Sequence, residues 1–170
     1  MNKLPKRKNI RLKGYDYSSC GYYFITVCTH QRQCLFSMSF VGNDLRVVPE
    51  KTPQNLMIEK WINELQNKFY VTIDKYVIMH DHIHLILIID TERHAGRSLP
   101  DIMQWFKTMT TNEYIKLVRN GMIKPFNKKL WQKSYYEHII RDDRDYEEIA
   151  EYIMNNPLKY AIDKTTQDTE

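Results

Sequence analysis

The chain has 170 residues, of which 42% are hydrophobic and 27% are charged; this is typical of one soluble globular domain and excludes a largely disordered or fibrous protein. A domain of this length buries enough apolar surface to fold without disulfides. The net charge of +4 is only mildly basic, so the positions of the charges say more about partners than their sum does.

Basic residues are concentrated at the N-terminus, where residues 1–13 contain no acidic residue. Such a run is either a solvated tail or an arm that neutralises phosphates. We therefore divide the chain into a basic arm at 1–13, one domain at 14–162 and a polar tail at 163–170. The basic residues of the arm are Lys3, Lys6, Arg7, Lys8, Arg11 and Lys13.

The cysteines and the apolar runs predict a cytoplasmic protein. Cys20, Cys28 and Cys34 are odd in number and form no CxxC pair, which favours reduced thiols. The N-terminus lacks the apolar stretch of a signal peptide. The strongest apolar run, at residues 76–89, is interrupted by histidines, so it is too short and too polar to cross a membrane.

The first elements predicted are strands. Residues 22–29 are rich in aromatic and β-branched side chains, as in a strand, and residues 33–40 are a candidate continuation. The Gly-Asn-Asp step at residues 42–44 predicts a hairpin turn, with a short return strand at 45–48.

A helix and further strands come next. Thr52 is predicted to be the N-cap of a helix, with Pro53 at its first position. Apolar residues then recur at helical spacing. Residues 71–77 and 83–89 are strand-like and predict either one long central strand or two linked strands.

The second half predicts two helices around another strand. Ser98 is expected to cap a helix over residues 99–118 that ends at Asn120 and Gly121. Residues 129–140 have a β-like, aromatic composition.

The last helix is expected to start at Asp142 or Asp143 and to end before Pro157. The order of elements predicts an α+β fold, in which an antiparallel sheet of ferredoxin-like type has helices packed on it.

The most informative segment is the strand-like run at 76–88, which contains His80, His82 and His84. Alternate residues of a strand share a face, so we expect the three imidazoles together, with neighbours within about 7 Å. Neutral imidazole is a common ligand of divalent metals. The apolar flanks predict a covered strand, where histidines need partners. The run thus predicts a metal site or hydrogen-bonded core histidines.

The terminal helix carries Tyr152 and Asn156 at i and i+4, so both side chains lie on one helix face. Tyr152 borders the apolar stripe that contains Ile149 and Ile153, and can therefore point toward the sheet. The same residues also fit an ordinary packing tyrosine and an asparagine that ends a helix before proline.

Taken together, these segments resemble the HUH single-tyrosine transposases, and among them the REP-associated tyrosine transposases most. The resemblance extends over most of the chain. It rests on four segments. They are the strand at residues 22–27, His82-Ile83-His84 within the apolar strand, the block from Trp131 to His138, and the segment from Tyr152 to Pro157.

The resemblance implies an HUH nuclease fold and assigns roles to four residues. His82, His84 and Asn156 would hold a divalent metal, Mg²⁺ or Mn²⁺, and Tyr152 would be the catalytic nucleophile. The activity implied is metal-dependent cleavage and rejoining of single-stranded DNA through a 5′-phosphotyrosine intermediate. The expected substrates are palindromic repeats or insertion-element ends, and the process is DNA transposition.

One stretch departs from the family pattern. The chain has Met79-His80-Asp81 where relatives commonly have Met-Pro-Asn. His80 would be an extra histidine on the metal face, for which we expect no metal or phosphate role. Asp81 should point to the other face and be structural.

The tyrosine would need activation, because a phenol has a pKa of about 10. Glu148, one helical turn earlier, and His138 are candidate bases. Candidate DNA contacts are basic or aromatic residues in the arm, on the second helix, in the Trp-Gln block and at the start of the last helix. They are Lys6, Arg7, Lys8, Arg11, Lys107, Lys129, Trp131, Lys133, Arg141 and Arg144. For Trp131 a place in the core is an equal alternative.

Other functions remain open at this point. A non-catalytic DNA-binding protein of the same fold is the main alternative, and a metal hydrolase that uses water as its nucleophile is another. Replication initiators and relaxases share the chemistry but usually carry larger partner domains. The expected partner is single-stranded or hairpin DNA and not a membrane, with homodimer and monomer both open.

Overall fold

The computed structural model describes residue 16 and residues 20–37, 39–41, 52–90 and 98–167. Within these ranges no helix combines the length and the hydrophobicity needed to cross a membrane. The elements are β1 (Gly21–Cys28), a short 3₁₀ turn (His30–Arg32), β2 (Ser39–Val41), α1 (Pro53–Phe69), β3 (Thr72–Ile78), β4 (His82–Ile89), α2 (Leu99–Arg119), β5 (Tyr136–Ile140) and α3 (Asp143–Gln167).

The strands form one antiparallel sheet in the order β2-β3-β4-β1-β5. The run β1-α1-β3-β4-α2-β5 inside it is the split βαβ arrangement of ferredoxin-like folds. The predicted α+β fold, an antiparallel sheet with helices packed on it, is therefore confirmed.

Helices cover both faces of the sheet. Side chains alternate along β1, so Tyr23, Ile25 and Val27 join the core under α1 and α2. Phe24 points the other way and packs in a second cluster with Ile153 of α3. The two faces therefore differ: the larger core lies under α1 and α2, and the histidines of β4 lie on the α3 face.

The β3–β4 connection corrects the prediction for the histidine run. The two strands form a tight antiparallel hairpin, in which the Met79 N–H donates to the carbonyl of His82 at 2.8 Å. His80 and Asp81 are the two turn residues, so β4 begins only at His82. His80 therefore does not line up with the other two histidines, because strand alternation stops at a turn. Its Nδ1 lies 3.2 Å from the carbonyl oxygen of Phe36.

The predicted helix starts are confirmed. The hydroxyl of Thr52 accepts the N–H of Asn55, and Pro53 follows in the first turn of α1. Ser98 is the N-cap before α2, and the carboxylate of Asp101 accepts hydrogen bonds from both its hydroxyl at 2.6 Å and its N–H at 3.3 Å. Gly121, at φ 70°, follows the end of α2 in a conformation that glycine adopts without strain.

Two strand predictions were too long. Beyond β1 the chain makes a single bridge at Thr29 and then the 3₁₀ turn, so residues 33–37 are not a strand. The segment 129–140 is a strand only from Tyr136, and Trp131 forms the other half of the Thr29 bridge. The predicted turn at 42–44, the return strand at 45–48 and the basic arm lie outside the described residues.

Pro157 does not end the last helix. α3 continues to residue 167 and therefore includes part of the predicted polar tail. A proline inside a helix removes one backbone hydrogen bond, here the one to the carbonyl of residue 153. The leucine, lysine and alanine that come after it have high helix propensity, which favours continuation. The predicted start is correct, because the Asp142 side chain accepts the N–H of Asp145 at 2.9 Å.

The Ser98 cap can be tested by stability. Replacing Ser98 with alanine removes the hydroxyl bond to Asp101 and should lower the free energy of unfolding by about 1 kcal/mol. Urea unfolding of Ser98→Ala measures this change. Thr108→Ala is the matched control, since the Thr108 hydroxyl only bonds back to the carbonyl of Gln104 inside α2. Equal losses in both variants would contradict the capping role.

Candidate active site

Two histidines of β4 meet on the α3 face of the sheet. His82 and His84 are two residues apart on one strand, so both rings point to the same side. Their Nε2 atoms lie 3.0 Å apart, and the rings are nearly perpendicular at 78°. The alternation expected from the sequence therefore holds for this pair.

Each ring has a fixed partner on its Nδ1. The Nδ1 of His82 lies 2.6 Å from the carboxylate of Asp81, and the Nδ1 of His84 lies 2.8 Å from the Thr26 hydroxyl. A carboxylate only accepts, so the Nδ1 of His82 must carry the proton and its Nε2 keeps a free lone pair. The Thr26 hydroxyl can donate or accept, so it satisfies either tautomer of His84.

Burial keeps both imidazoles uncharged. Desolvation is the largest cause that lowers the pKa of His82, although the Asp81 carboxylate opposes it. Burial, with smaller contributions from His82 and Arg32, lowers the pKa of His84 to about 3. Neutral imidazoles present lone pairs at physiological pH, as metal ligation requires.

Tyr152 of α3 contacts His84 of the histidine pair on the α3 face of the sheet. Its hydroxyl oxygen lies 3.3 Å from the Nε2 of His84. Its ring packs edge-on against His84, with centroids 5.2 Å apart, and against Phe24, with centroids 6.0 Å apart. The neighbouring Ile153 is fully buried and anchors this turn of α3, whereas Tyr152 remains 43% exposed. The tyrosine is thus held by its ring and still open to a substrate.

The third predicted ligand, Asn156, lies one helical turn after Tyr152 and is half-buried. Among the described residues, no three His, Cys, Asp or Glu side chains are grouped to hold a metal. The amide oxygen of Asn156 is a ligand type outside that set. The metal role of Asn156 stays a prediction.

The residues present fit a divalent cation. Two ligands at right angles around a cation, each at about 2.1 Å, lie about 3.0 Å apart, as in octahedral coordination. The Nε2 atoms of His82 and His84 have that separation. Imidazole nitrogen and amide oxygen also suit Mn²⁺ and related ions.

The candidate bases named from the sequence are both engaged elsewhere. Glu148 pairs with Arg144 at 2.9 Å, and His138 contacts the Asp145 carboxylate at 2.8 Å. The group that does approach the Tyr152 hydroxyl is His84.

Two of the predicted DNA contacts, Trp131 and Lys107, are partly or fully buried. Trp131 is only 4% exposed, its indole N–H donates to the Thr110 hydroxyl, and its ring stacks on Phe36, which favours the core alternative. Lys107 is half-buried and donates to the carbonyls of Gln132 and Lys133 at 2.5 and 2.9 Å.

The other predicted DNA contacts are either exposed on the surface or outside the described residues. Lys129, Lys133, Arg141 and Arg144 are exposed, and Arg144 is paired with Glu148. Lys6, Arg7, Lys8 and Arg11 lie outside the described residues.

Sequence reasoning missed three residues that hold the site together. They are Thr26 and Phe24 on β1 and Asp81 in the turn, which was expected to point away from the histidines. Thr26 pairs with His84 in the β1–β4 register, so only a known strand register would have identified it. Asp81 contacts His82 because a turn residue does not follow strand alternation.

A family profile and a named relative both indicate a transposase family. A sequence profile of the family described as Transposase IS200 like matches residues 16–156. An uncharacterized protein of Haemophilus influenzae is 33% identical over 97% of this chain and 96% of its own length. A second Haemophilus influenzae protein, assigned by name to the REP-associated tyrosine transposases, is 26% identical over 90% of this chain and 79% of its own length.

Two solved structures share the fold. One is a REP-associated tyrosine transposase bound to a REP hairpin, with a TM-score of 0.58 and 19% identity, covering 94% of this chain and 74% of that one. The other is a Deinococcus radiodurans protein named as a transposase, with a TM-score of 0.51 and 16% identity, covering 85% of this chain and 95% of that one.

The Thr26–His84 contact can be tested without any metal. Thr26→Val keeps the shape of the side chain but leaves the Nδ1 of buried His84 without its partner, which should lower the free energy of unfolding by about 1–3 kcal/mol. Thr26→Ser keeps the hydroxyl and should lose less. Chemical unfolding in the presence of a chelator measures both variants. A valine variant as stable as the serine variant would show that the hydroxyl does not hold His84.

Proposed function

The chain belongs to the IS200-like transposase family, and on that basis we propose that it cuts and rejoins single-stranded DNA with Tyr152 as nucleophile. The observation that carries this proposal is the 3.3 Å approach of the Tyr152 hydroxyl to His84, beside the imidazole pair of β4. The histidine that Tyr152 contacts is uncharged, and its neighbour His82 is a second uncharged imidazole.

The proposed reaction is a transesterification, in which phosphorus exchanges its bond to a DNA oxygen for a bond to the tyrosine oxygen. The Tyr152 oxygen attacks the scissile phosphorus and loses its proton as the new bond forms. The bond from phosphorus to the 3′ oxygen breaks, and that oxygen takes up a proton and leaves as a free 3′-OH, so the step neither gains nor loses a proton overall. The product is a 5′-phosphotyrosine link, and attack by a 3′-OH on it reverses the step and rejoins DNA without ATP.

The chain's own residues prepare this attack by position. Edge-on contacts with His84 and Phe24 restrict the Tyr152 ring, and buried Ile153 fixes the backbone next to it. The attacking oxygen therefore stays close to the imidazole pair, and holding a nucleophile near its attack geometry removes part of the activation barrier.

His82, His84 and Asn156 would hold a divalent cation, Mg²⁺ or Mn²⁺, which when bound would polarise the scissile phosphate and neutralise charge developing on it. Both rings stay neutral; His82 presents the lone pair of its Nε2, and His84 presents one in the tautomer that carries its proton on Nδ1. Asp81 and Thr26 fix the other nitrogen of each ring.

A basic groove supports DNA as the partner. It has a volume of about 830 Å³ and lies between α2 and the segment 126–135. Four lysines line it, and none of the described residues in its wall is acidic. A groove with positive charge and polar side chains suits a phosphodiester backbone. The four lysines are Lys107, Lys128, Lys129 and Lys133.

The groove adjoins the end of the sheet where the histidines lie. The Gln132 N–H donates to the carbonyl of Cys28 at 2.9 Å, and Cys28 is paired with His82 across β1 and β4. A DNA strand that binds the lysines would pass around this end of the sheet to reach the histidine pair on its other face. The REP hairpin bound by the structural relative supports a hairpin with an adjoining single strand as the substrate class.

The covalent step is tested by protein–DNA adducts. Incubate the protein with labelled single-stranded DNA from repeats that flank its own gene, with Mn²⁺ or Mg²⁺. We expect a metal-dependent covalent band that is absent in Tyr152→Phe and in the double variant His82→Ala with His84→Ala. Cleavage that persists without an adduct in Tyr152→Phe would instead indicate a metal-activated water.

Tyr146→Phe is the matched control for that assay. Tyr146 lies on the same helix but donates to the Asp74 carboxylate at 2.6 Å and accepts from Lys75 at 2.8 Å. Its replacement should leave the adduct intact. DNA binding without an adduct, with both metals and several repeats, would favour a non-catalytic DNA-binding protein.

The groove is tested by salt dependence. Lys129→Gln with Lys133→Gln should weaken binding to any hairpin oligonucleotide and make the plot of log affinity against log salt shallower, by about 0.7–0.9 for each lysine–phosphate pair that the substitutions remove. Fluorescence anisotropy over a salt series measures the slope. Lys116→Gln with Lys124→Gln removes the same charge from exposed residues outside the groove wall and should keep the slope. Equal slopes for both double variants would contradict the groove assignment.

A further inference from the structure

A chain of three side chains links the surface to the histidine pair. The Nε of Arg32 lies 2.7 Å from one oxygen of the Asp81 carboxylate, and the other oxygen lies 2.6 Å from the Nδ1 of His82. The Nε2 of His82 then faces the Nε2 of His84 at 3.0 Å. The carboxylate thus touches the ring on the side away from the point where the lone pairs meet.

The main chain around Asp81 is fixed independently of this contact. Its carbonyl accepts both the N–H of Thr29 at 2.8 Å and the Thr29 hydroxyl at 3.0 Å. The neighbouring carbonyl of His80 accepts the N–H groups of Leu35 and Phe36. The turn is therefore clamped by the segment after β1, so the carboxylate is presented to His82 from a rigid support.

The position of Arg32 costs conformational energy. Gln31 and Arg32 are consecutive non-glycine residues with φ values of 56° and 57°, in the left-handed region. Such conformations cost about 1–3 kcal/mol each and persist where the surroundings require them. Here they bring the guanidinium onto Asp81, where a second nitrogen also lies 2.9 Å from the Cys28 sulfur.

We propose that Asp81, held by Arg32, is a positioning residue that fixes the tautomer and orientation of His82 for cation binding. The inference rests on the proposed function, because it assumes that His82 and His84 bind a cation. The carboxylate accepts a hydrogen bond from the Nδ1–H of His82, so the proton stays on Nδ1 and the lone pair on Nε2. Its negative charge makes the ring a more basic metal ligand. A neutral amide at this position, as in Asp81→Asn, could accept the same bond but would not add the charge.

The tautomer is measured directly by nuclear magnetic resonance. In ¹⁵N-labelled protein without metal, the proposal requires His82 to be protonated on Nδ1 and unprotonated on Nε2. A wild-type His82 protonated on Nε2 overturns it, and this measurement needs no variant to fold. In Asp81→Ala the Nδ1 preference should disappear.

Cation affinity is the second readout, with Mn²⁺ as the probe in titration calorimetry. Asp81→Ala should bind Mn²⁺ about 10–100-fold more weakly than wild type. Asp81→Asn retains an acceptor and should lose less, and Arg32→Gln should lose less than Asp81→Ala. Asp74→Ala is the matched control, since Asp74 is also a paired carboxylate, with Lys75 and Tyr146, but contacts neither histidine. Its Mn²⁺ affinity should equal that of wild type.

The outcomes separate this inference from the proposed function. If Asp81→Ala binds Mn²⁺ as tightly as wild type while wild type forms the DNA adduct, the positioning role is wrong and the proposed function stands. If Asp81→Ala loses affinity but wild type forms no adduct, the positioning role stands and the proposed function fails. A wild-type protein that takes up no Mn²⁺ overturns both.

Discussion

The register between β1 and β4 is the constraint on which the site depends. It pairs Thr26 with His84 and Cys28 with His82. Because strand side chains alternate, a slip of one residue in β4 would turn both imidazoles into the core under α1 and α2. In the observed register the two rings meet on the α3 face. The Thr26 hydroxyl contacts His84, and α3 places Tyr152 against the same ring.

One face of the sheet carries most of the hydrophobic core, and the other carries the candidate active site. The larger core lies under α1 and α2, and Trp131 extends it with a hydrogen bond to Thr110. The α3 face carries a smaller cluster around Phe24 and Ile153, and it accommodates the polar pair at its end. Burying two imidazoles there is tolerable because both stay neutral and each has a partner on Nδ1. Arg32 lies at the rim, in a strained segment that helps to hold one of those partners.

Local periodicity and capping signals were enough to predict where the helices begin and that the histidines pair, although Pro157 did not end α3 as predicted. Contacts between distant segments could not be predicted. Strand alternation predicted that His82 and His84 would meet, and helical spacing placed Tyr152 beside the packed face. The turn that removes His80 from the strand could not be derived from an unbroken apolar run. Nor could the contact of Asp81, because the run does not reveal where the hairpin reverses.

Composition was equally unable to distinguish surface from core. Trp131 has lysines within two positions on each side and was an equal candidate for base stacking or for the core. The structure buries it and bridges it to Thr29 at the end of β1.

Whether Tyr152 becomes linked to DNA is decided by mass spectrometry of the tryptic peptide 145–159 after reaction. We expect a nucleotide attached through a 5′ phosphate to Tyr152, with Tyr146 in the same peptide unmodified. Attachment to Tyr146 or to a tyrosine of another peptide, or cleaved DNA with no modified peptide, would contradict the proposed nucleophile.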